Sequence, residues 1–409
     1  MKKIIILGGG SDQIALIKEI RNQCFDAYII LVDYLSHPIA KEYADIHIQE
    51  STLDKEIVLS IAKAHKVDYV LTACTDQALL TMAFVSEQLR LPCYLTYQQA
   101  LELTNKLYMK QKMVENNIPT SKHLCIDTIY DLNSFSILKF PLVVKPVDSN
   151  SSKGVKKVFS KLDLPYAIEE ALSYSICKKV IVEEFNEGEE LSIDVYIEGK
   201  TAKLLSITAS KKVKNTDSFT IIQSYYPVPV KIDTEKIRQI AQQIANSFQL
   251  KDTPLLIQMI VNNHDYNVVE FSARMGGGSK YHLIHVLSGI DIMKTYVEMV
   301  LGKETSVNPT KKLEYAIMNY VYCNPGEYIK LKNFKEMYKS QIINNYFVYK
   351  SAPAHIEKAN NSSDRVAGFL ITGNTEDEII KKLHFANSKL QVIDKFEKDI
   401  MRHDFFESI

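Results

Sequence analysis

One stretch decides the fold: Thr253–Gly278, TPLLIQMIVNNHDYNVVEFSARMGGG. Two apolar runs, TPLLIQMIV and NVVEFSAR, flank the polar turn NNHDY, which is the pattern of an antiparallel hairpin. A turn centred on His264 sets Gln258 opposite Glu270, with Cβ atoms ~5 Å apart. Period-2 alternation sends Glu270, Ser272 and Arg274 to one face. Two oxygen-bearing side chains at that distance suit a hard cation such as Mg2+, which keeps waters and phosphate oxygens in its shell. A solvated Glu–Arg ladder is the alternative reading of the same face. Gly276, Gly277 and Gly278 then either bring bare N–H groups to an anion or form a tight strand-to-helix connection.

Upstream of the hairpin, PLVVKPV is a strand that carries Lys145, and DSNSSKGV is a polar turn. A lysine before a Ser/Gly turn suits phosphate, because turn N–H groups cradle oxygens while the ammonium supplies charge. KKVIVEEF reads as a strand and NEGEE as a turn. LSIDVYIEGKTAKLLSIT reads as two strands joined at Glu198-Gly199-Lys200. The segment TNKLYMKQKMVENNIPTSKH is a helix stopped at Ile118-Pro119, and residues 233–250 form an amphipathic helix.

At the start of the chain, KKIIILGGG, AYIILVDY, VDYVLTAC and LPCYL alternate with helical stretches. This order indicates a parallel sheet covered on both faces, over residues 1–103. The Gly8-Gly9-Gly10 triplet is not a dinucleotide fingerprint, since the third glycine would fall at Gln13. Asp76, at the end of a strand, lies where parallel sheets place ligands. It is read as a ligand for a substrate amine or as a helix N-cap. His282 and His285 lack a third ligand at zinc spacing. Ser363-Asp364-Arg365 either reaches a substrate or opens a strand.

Composition narrows the function classes. The 409 residues are 46% hydrophobic and 24% charged, with 49 acids against 49 bases. That balance argues against a nucleic-acid or membrane-surface protein. No apolar run approaches ~20 residues, and the apolar start is too short for a signal peptide. Six scattered cysteines without a CxxC pair are read as reduced thiols, which points to the cytoplasm.

Taken in order, TNKLYMKQKMVENNIPT, LVVKPVDSNSSKGV, VIVEEFNEGEELSIDV and LLIQMIV…VVEFSARMGGG resemble the ATP-grasp superfamily. The resemblance implies an α/β protein. An N-terminal parallel-sheet domain is followed by two α+β subdomains clamping ATP over residues 104–310, with a lid at about 120–200. A C-terminal α/β region, 311–409, completes the core. It further implies that Lys106 and Lys145 hold phosphates under a flexible flap, Asp148–Gly154, which includes Ser151, Ser152 and Gly154. Glu183 would reach the adenine amine, the backbone of Glu184 and Phe185 would pair with the ring, and Glu190 would bind ribose. Glu270, with Gln258, would hold Mg2+, with Mn2+ as an alternative. Arg274 would stabilise the γ-phosphate. Ser272, the glycines and Asp76 would face the substrate.

Two positions depart from the usual pattern. Gln258 stands where an acid is usual, which puts a two-metal site in question. Ser272 replaces the Asn of E-x-N-x-R and points to the L-amino-acid ligase branch. The implied activity is ATP-dependent joining of a small carboxylate to an amine through an acyl phosphate. Bicarbonate activation, as in carbamoyl-phosphate or biotin-carboxylase relatives, and a catalytically weakened ATP-binding protein are the alternatives. The expected partners are small-molecule carboxylates and amines, with a homodimer left open.

Overall fold

The computed structural model describes residues 1–149, 153–213, 220–263, 265–310, 313–359 and 361–406. The first unit is a four-stranded, all-parallel sheet in the order Ile46–Gln49, Tyr28–Asp33, Lys3–Leu7, Tyr69–Leu71. Its inner strands, Lys3–Leu7 and Tyr28–Asp33, are mostly apolar because helices cover both faces, whereas the edge strand Ile46–Gln49 is only partly buried. Ile4 and Ile6 pack with Leu16, Ile17 and Ile20 of helix Ser11–Gln23. Ile5 and Leu7 enter a second core with Val58, Leu59, Leu79 and Met82 from helices Lys55–His65 and Asp76–Leu89. LPCYL is not a strand; residues 91–95 cross the surface of this unit without pairing. Pro92 lacks the N–H that a ladder position needs, and Leu95 turns instead into the core of the next unit. The edge position is filled by Ile46–Gln49, which the sequence pattern did not reveal.

A second, antiparallel sheet has the order His123–Ile126, Val180–Glu184, Leu142–Pro146, Lys156–Val158, and helix Leu164–Tyr174 covers it. The third sheet is the spine of the molecule. Its eight antiparallel strands run Asp265–Ser272, Thr253–Asn262, Glu189–Glu198, Thr201–Lys212, Ile221–Tyr226, Tyr315–Val321, Ala367–Gly373, Asn345–Val348. The last three strands come from beyond residue 311, so the C-terminal region extends the same sheet. Helix Thr234–Ser247 packs on the first half through Ile237, Ile240 and Ile244. Helix Glu376–Lys389 packs on the second half through Ile379 and Leu383.

The hairpin carries an irregularity that the sequence reading did not anticipate. Asn262 pairs with Asp265 and Met259 with Val268, which puts the turn between residues 263 and 264. His264 itself lies outside the described residues. The register then shifts by one between Met259 and Gln258, so Gln258 does face Glu270. The bulge also switches faces. Tyr266 and Val268 point into the core, whereas beyond the bulge Phe271 and Ala273 do so. One extra residue thus turns the even-numbered face from apolar to polar. Without it, either Glu270 or Val268 would be on the wrong side.

Candidate active site

A cavity of about 380 Å3 opens where the three sheets meet. The parallel unit contributes Asp12, Cys74 and Asp76–Gln77 to its lining. The second sheet contributes Asp148 and Ser149, the hairpin contributes Gln258, Glu270, Ser272 and Arg274, and the C-terminal region contributes Tyr320 and Arg365. Gly276, Gly277 and Gly278 form one wall. Of the residues singled out from sequence, Lys106, Asp76, Gln258, Glu270, Ser272, Arg274 and the three glycines therefore meet in one place. Lys145, Gly154, Glu183, Glu184 and Phe185, on the second sheet and its turns, and Glu190, on strand Glu189–Glu198 of the third sheet, lie outside that lining. Ser151 and Ser152 fall outside the described residues.

On the hairpin face, Lys106 Nζ lies 3.4 Å from Glu270 Oε2 and donates to Ser149 O at 2.6 Å. This lysine thus links the expected metal ligand to the base of the expected flap. Asp148 is tied down at that base: its carboxylate accepts from Ser175 Oγ, Ile176 N and Cys177 N at 2.8–3.1 Å. Gln258 Nε2 approaches Glu190 Oε1 at 3.5 Å, and its Oε1 accepts no hydrogen bond among the described residues. Glu190 also pairs with Lys212 at 2.5 Å.

Arg274 and Asp76 form a bidentate pair, with Nε to Oδ1 at 2.5 Å and Nη2 to Oδ2 alongside. Burial works against both charges. The Arg274 guanidinium nevertheless holds the Asp76 carboxyl below its usual range, and Asp76 raises Arg274 above its own. Asp76 is the first residue of its helix, behind the N-cap Thr75. It is therefore not the cap; both of its oxygens hold Arg274, and it stays in the cavity lining.

Behind this face sits a buried triad. Glu183 accepts from Lys145 Nζ at 2.5 Å and lies 2.9 Å from Lys110 Nζ. Burial alone would raise the Glu183 carboxyl, but the two ammoniums outweigh it and hold the group at about 2. Burial pushes Lys110 down to about 8 against the pull of Glu183. Lys110 was missed in the sequence. Its position four residues after Lys106, one helical turn on, was the available signal.

Part of the glycine wall is already engaged within the chain. Asp12, also missed, accepts from Gly278 N at 3.3 Å and Ser279 N at 3.1 Å, so the chain's own carboxylate already occupies that amide pair. The glycines serve close approach instead. A Cβ on Gly276 would sit 2.8 Å from Lys280 Cδ, one on Gly277 3.3 Å from Cys74 O, and one on Gly278 2.6 Å from Arg365 Nη1. Gly278 also has φ +71°, which a side chain disfavours. At the expected adenine edge, two backbone amides are likewise engaged. Glu184 N and Phe185 N donate to Lys122 O and Pro141 O, both at 3.0 Å, which leaves Asn186 as the first residue of the run whose N–H has no partner among the described residues.

Residues 138–281 match the family description of the ATP-grasp domain. The chain is 24% identical over 311 residues to a phosphoribosylamine–glycine ligase of Pyrococcus furiosus, covering 70% of this chain and 69% of that protein. It is 24% identical over 295 residues to an L-arginine-specific L-amino acid ligase of Bacillus subtilis, covering 66% and 68%. The crystal structure of an L-amino acid ligase from Bacillus licheniformis superposes with a TM-score of 0.79 at 18% identity, covering 97% of this chain and 99% of that one. The chain therefore carries an ATP-grasp domain behind a parallel-sheet unit, within a mixed α/β fold. No helix among the described residues is long and apolar enough to cross a membrane.

Proposed function

We propose that this chain is an ATP-dependent carboxylate–amine ligase that works through an acyl phosphate, with an amino acid or a similar small carboxylate as substrate. The supporting observation is the convergence of Lys106, Arg274, Glu270 and Gln258 on one wall of a cavity large enough for a triphosphate end and a small acid. In this reading, a carboxylate oxygen of the substrate attacks the γ-phosphorus and the bond to ADP breaks. The amine then attacks the activated carbon, phosphate departs, and the nitrogen loses a proton.

Both reactants of the first step are anions, so the site must suppress their repulsion. Lys106 and Arg274 supply fixed positive charge at the cavity wall, held there by Ser149 O and Asp76, so little reorganisation is needed during reaction. Lys145 would join them at the phosphates by turning from Glu183. The donor set fits a hard cation: a carboxylate stands opposite an amide oxygen with no other partner, and Mg2+ readily completes its shell with water and phosphate oxygens. Glu270 and Gln258 would hold it, and it would neutralise phosphate charge when bound. The flap at Asp148–Gly154 would exclude water from the acyl phosphate.

The test is phosphate release with Mg2+, ATP and pooled amino acids. Release that depends on both a carboxylate and an amine supports the reading. Bicarbonate-dependent release, or nucleotide binding without turnover, would displace it.

A further inference from the structure

The same cavity is lined by two cations, Lys280 and Arg365, that the steps above do not use. Lys280 lines it and is only 8% exposed. Its ammonium makes no hydrogen bond or ion pair among the described residues. A buried ammonium without a hydrogen bond is costly: burial lowers its proton affinity, the Asp194 charge partly offsets this, and Arg365 adds to the lowering. Arg365 lines the same cavity. Its guanidinium stacks 3.5 Å from the centre of the Tyr320 ring. Nε donates to Tyr322 Oη at 3.2 Å and Nη2 to Ile221 O at 3.4 Å, so it is oriented by neutral groups and pairs with no carboxylate among the described residues. Nη1 lies against Gly278.

Two acids stand nearby, and neither pairs with these cations. Asp12 is engaged by Gly278 N and Ser279 N. Asp194 accepts from Ser206 Oγ at 2.7 Å, and no ion pair joins it to Lys280. The Lys280 stem occupies the space left by Gly276, and the Arg365 guanidinium the space left by Gly278, so a side chain at either glycine would crowd a cation.

We propose that Lys280 and Arg365 form a carboxylate-binding subsite, which holds the unreacted carboxylate of the amine-bearing substrate; that substrate is then an amino acid and not a simple amine. The inference rests on the ligase reading. A planar fork beside a point charge suits a carboxylate, which accepts from both at once. An amine-bearing acid held there lies in the same cavity that Arg274 and Glu270 line.

The test is thermal unfolding of the full chain with Mg2+ and ADP, titrated with each amino acid and with its α-carboxamide, which keeps the amine and removes the charge. At least one amino acid should stabilise the protein, and its carboxamide should not. Lys280→Met and Arg365→Gln should each weaken that response about 10- to 100-fold, the range for losing a charge-assisted hydrogen bond. Lys280→Arg should retain most of it. The shift caused by ADP alone should persist in all variants, which shows that they fold. The proposal is overturned if no amino acid stabilises a protein that responds to ADP, if the carboxamide works as well, or if the variants respond like the parent. A parent that ignores ADP would instead sink the ligase reading.

Discussion

Replacing Glu183 with Gln tests the buried triad directly. The substitution keeps shape and removes the carboxylate between two ammoniums, Lys110 at 1% exposure and Lys145 at 4%. An ordinary Glu carboxyl at 4.5 compared with about 2 here corresponds to roughly 3 kcal/mol of folded-state stabilisation. Removing one partner of a buried pair costs about 3–5 kcal/mol by an independent route. Glu183→Gln should therefore destabilise the protein by roughly 3 kcal/mol at pH 7 in urea unfolding. The folded carboxyl titrates below the unfolded one, so its contribution is complete above about pH 4.5 and is lost as pH falls toward 2. The gap between parent and variant should close over that window. Adding Lys110→Met should recover part of the loss, because one uncompensated charge then disappears. A loss below about 1 kcal/mol, or a gap unchanged between neutral and strongly acidic pH, would refute the triad as described.

Lys145→Ala should weaken ATP binding more than Lys153→Ala, since Lys145 is fixed on a buried strand while Lys153 is exposed; equal losses in a direct titration count against this. Gln258→Glu should lower the Mg2+ concentration needed for nucleotide binding or turnover, and Glu270→Gln should raise it, because charged oxygens suit a hard cation. An unchanged requirement in both would mean that the pair does not face the metal. Gly278→Ala should destabilise by about 2 kcal/mol or more, against about 1 kcal/mol for Gly199→Ala. Both have positive φ, but only Gly278 has atoms within 3 Å of the added carbon; equal losses in urea unfolding would remove the close-approach argument.

The sequence by itself carried the parallel unit and the hairpin, because each is a local pattern. Alternating strands and helices specify a covered parallel sheet, and two apolar runs around NNHDY specify a hairpin. Gln258 and Glu270 were legible as a pair, although the reasoning reached them by a turn centre that the structure moves and a bulge then restores. A bulge leaves no reliable sign in composition; it arises where the buried face must change parity to satisfy packing.

What only the tertiary structure decided are partnerships between residues far apart in the chain. Asp76 meets Arg274 across 198 positions, and Asp12 meets Gly278 across 266. Lys280 and Arg365 line one cavity because strands beyond residue 311 join the central sheet. Charge in a sequence says that a partner is needed; which partner is found depends on how sheets and helices bring distant segments within a few ångströms, and on which cations that packing leaves unpaired.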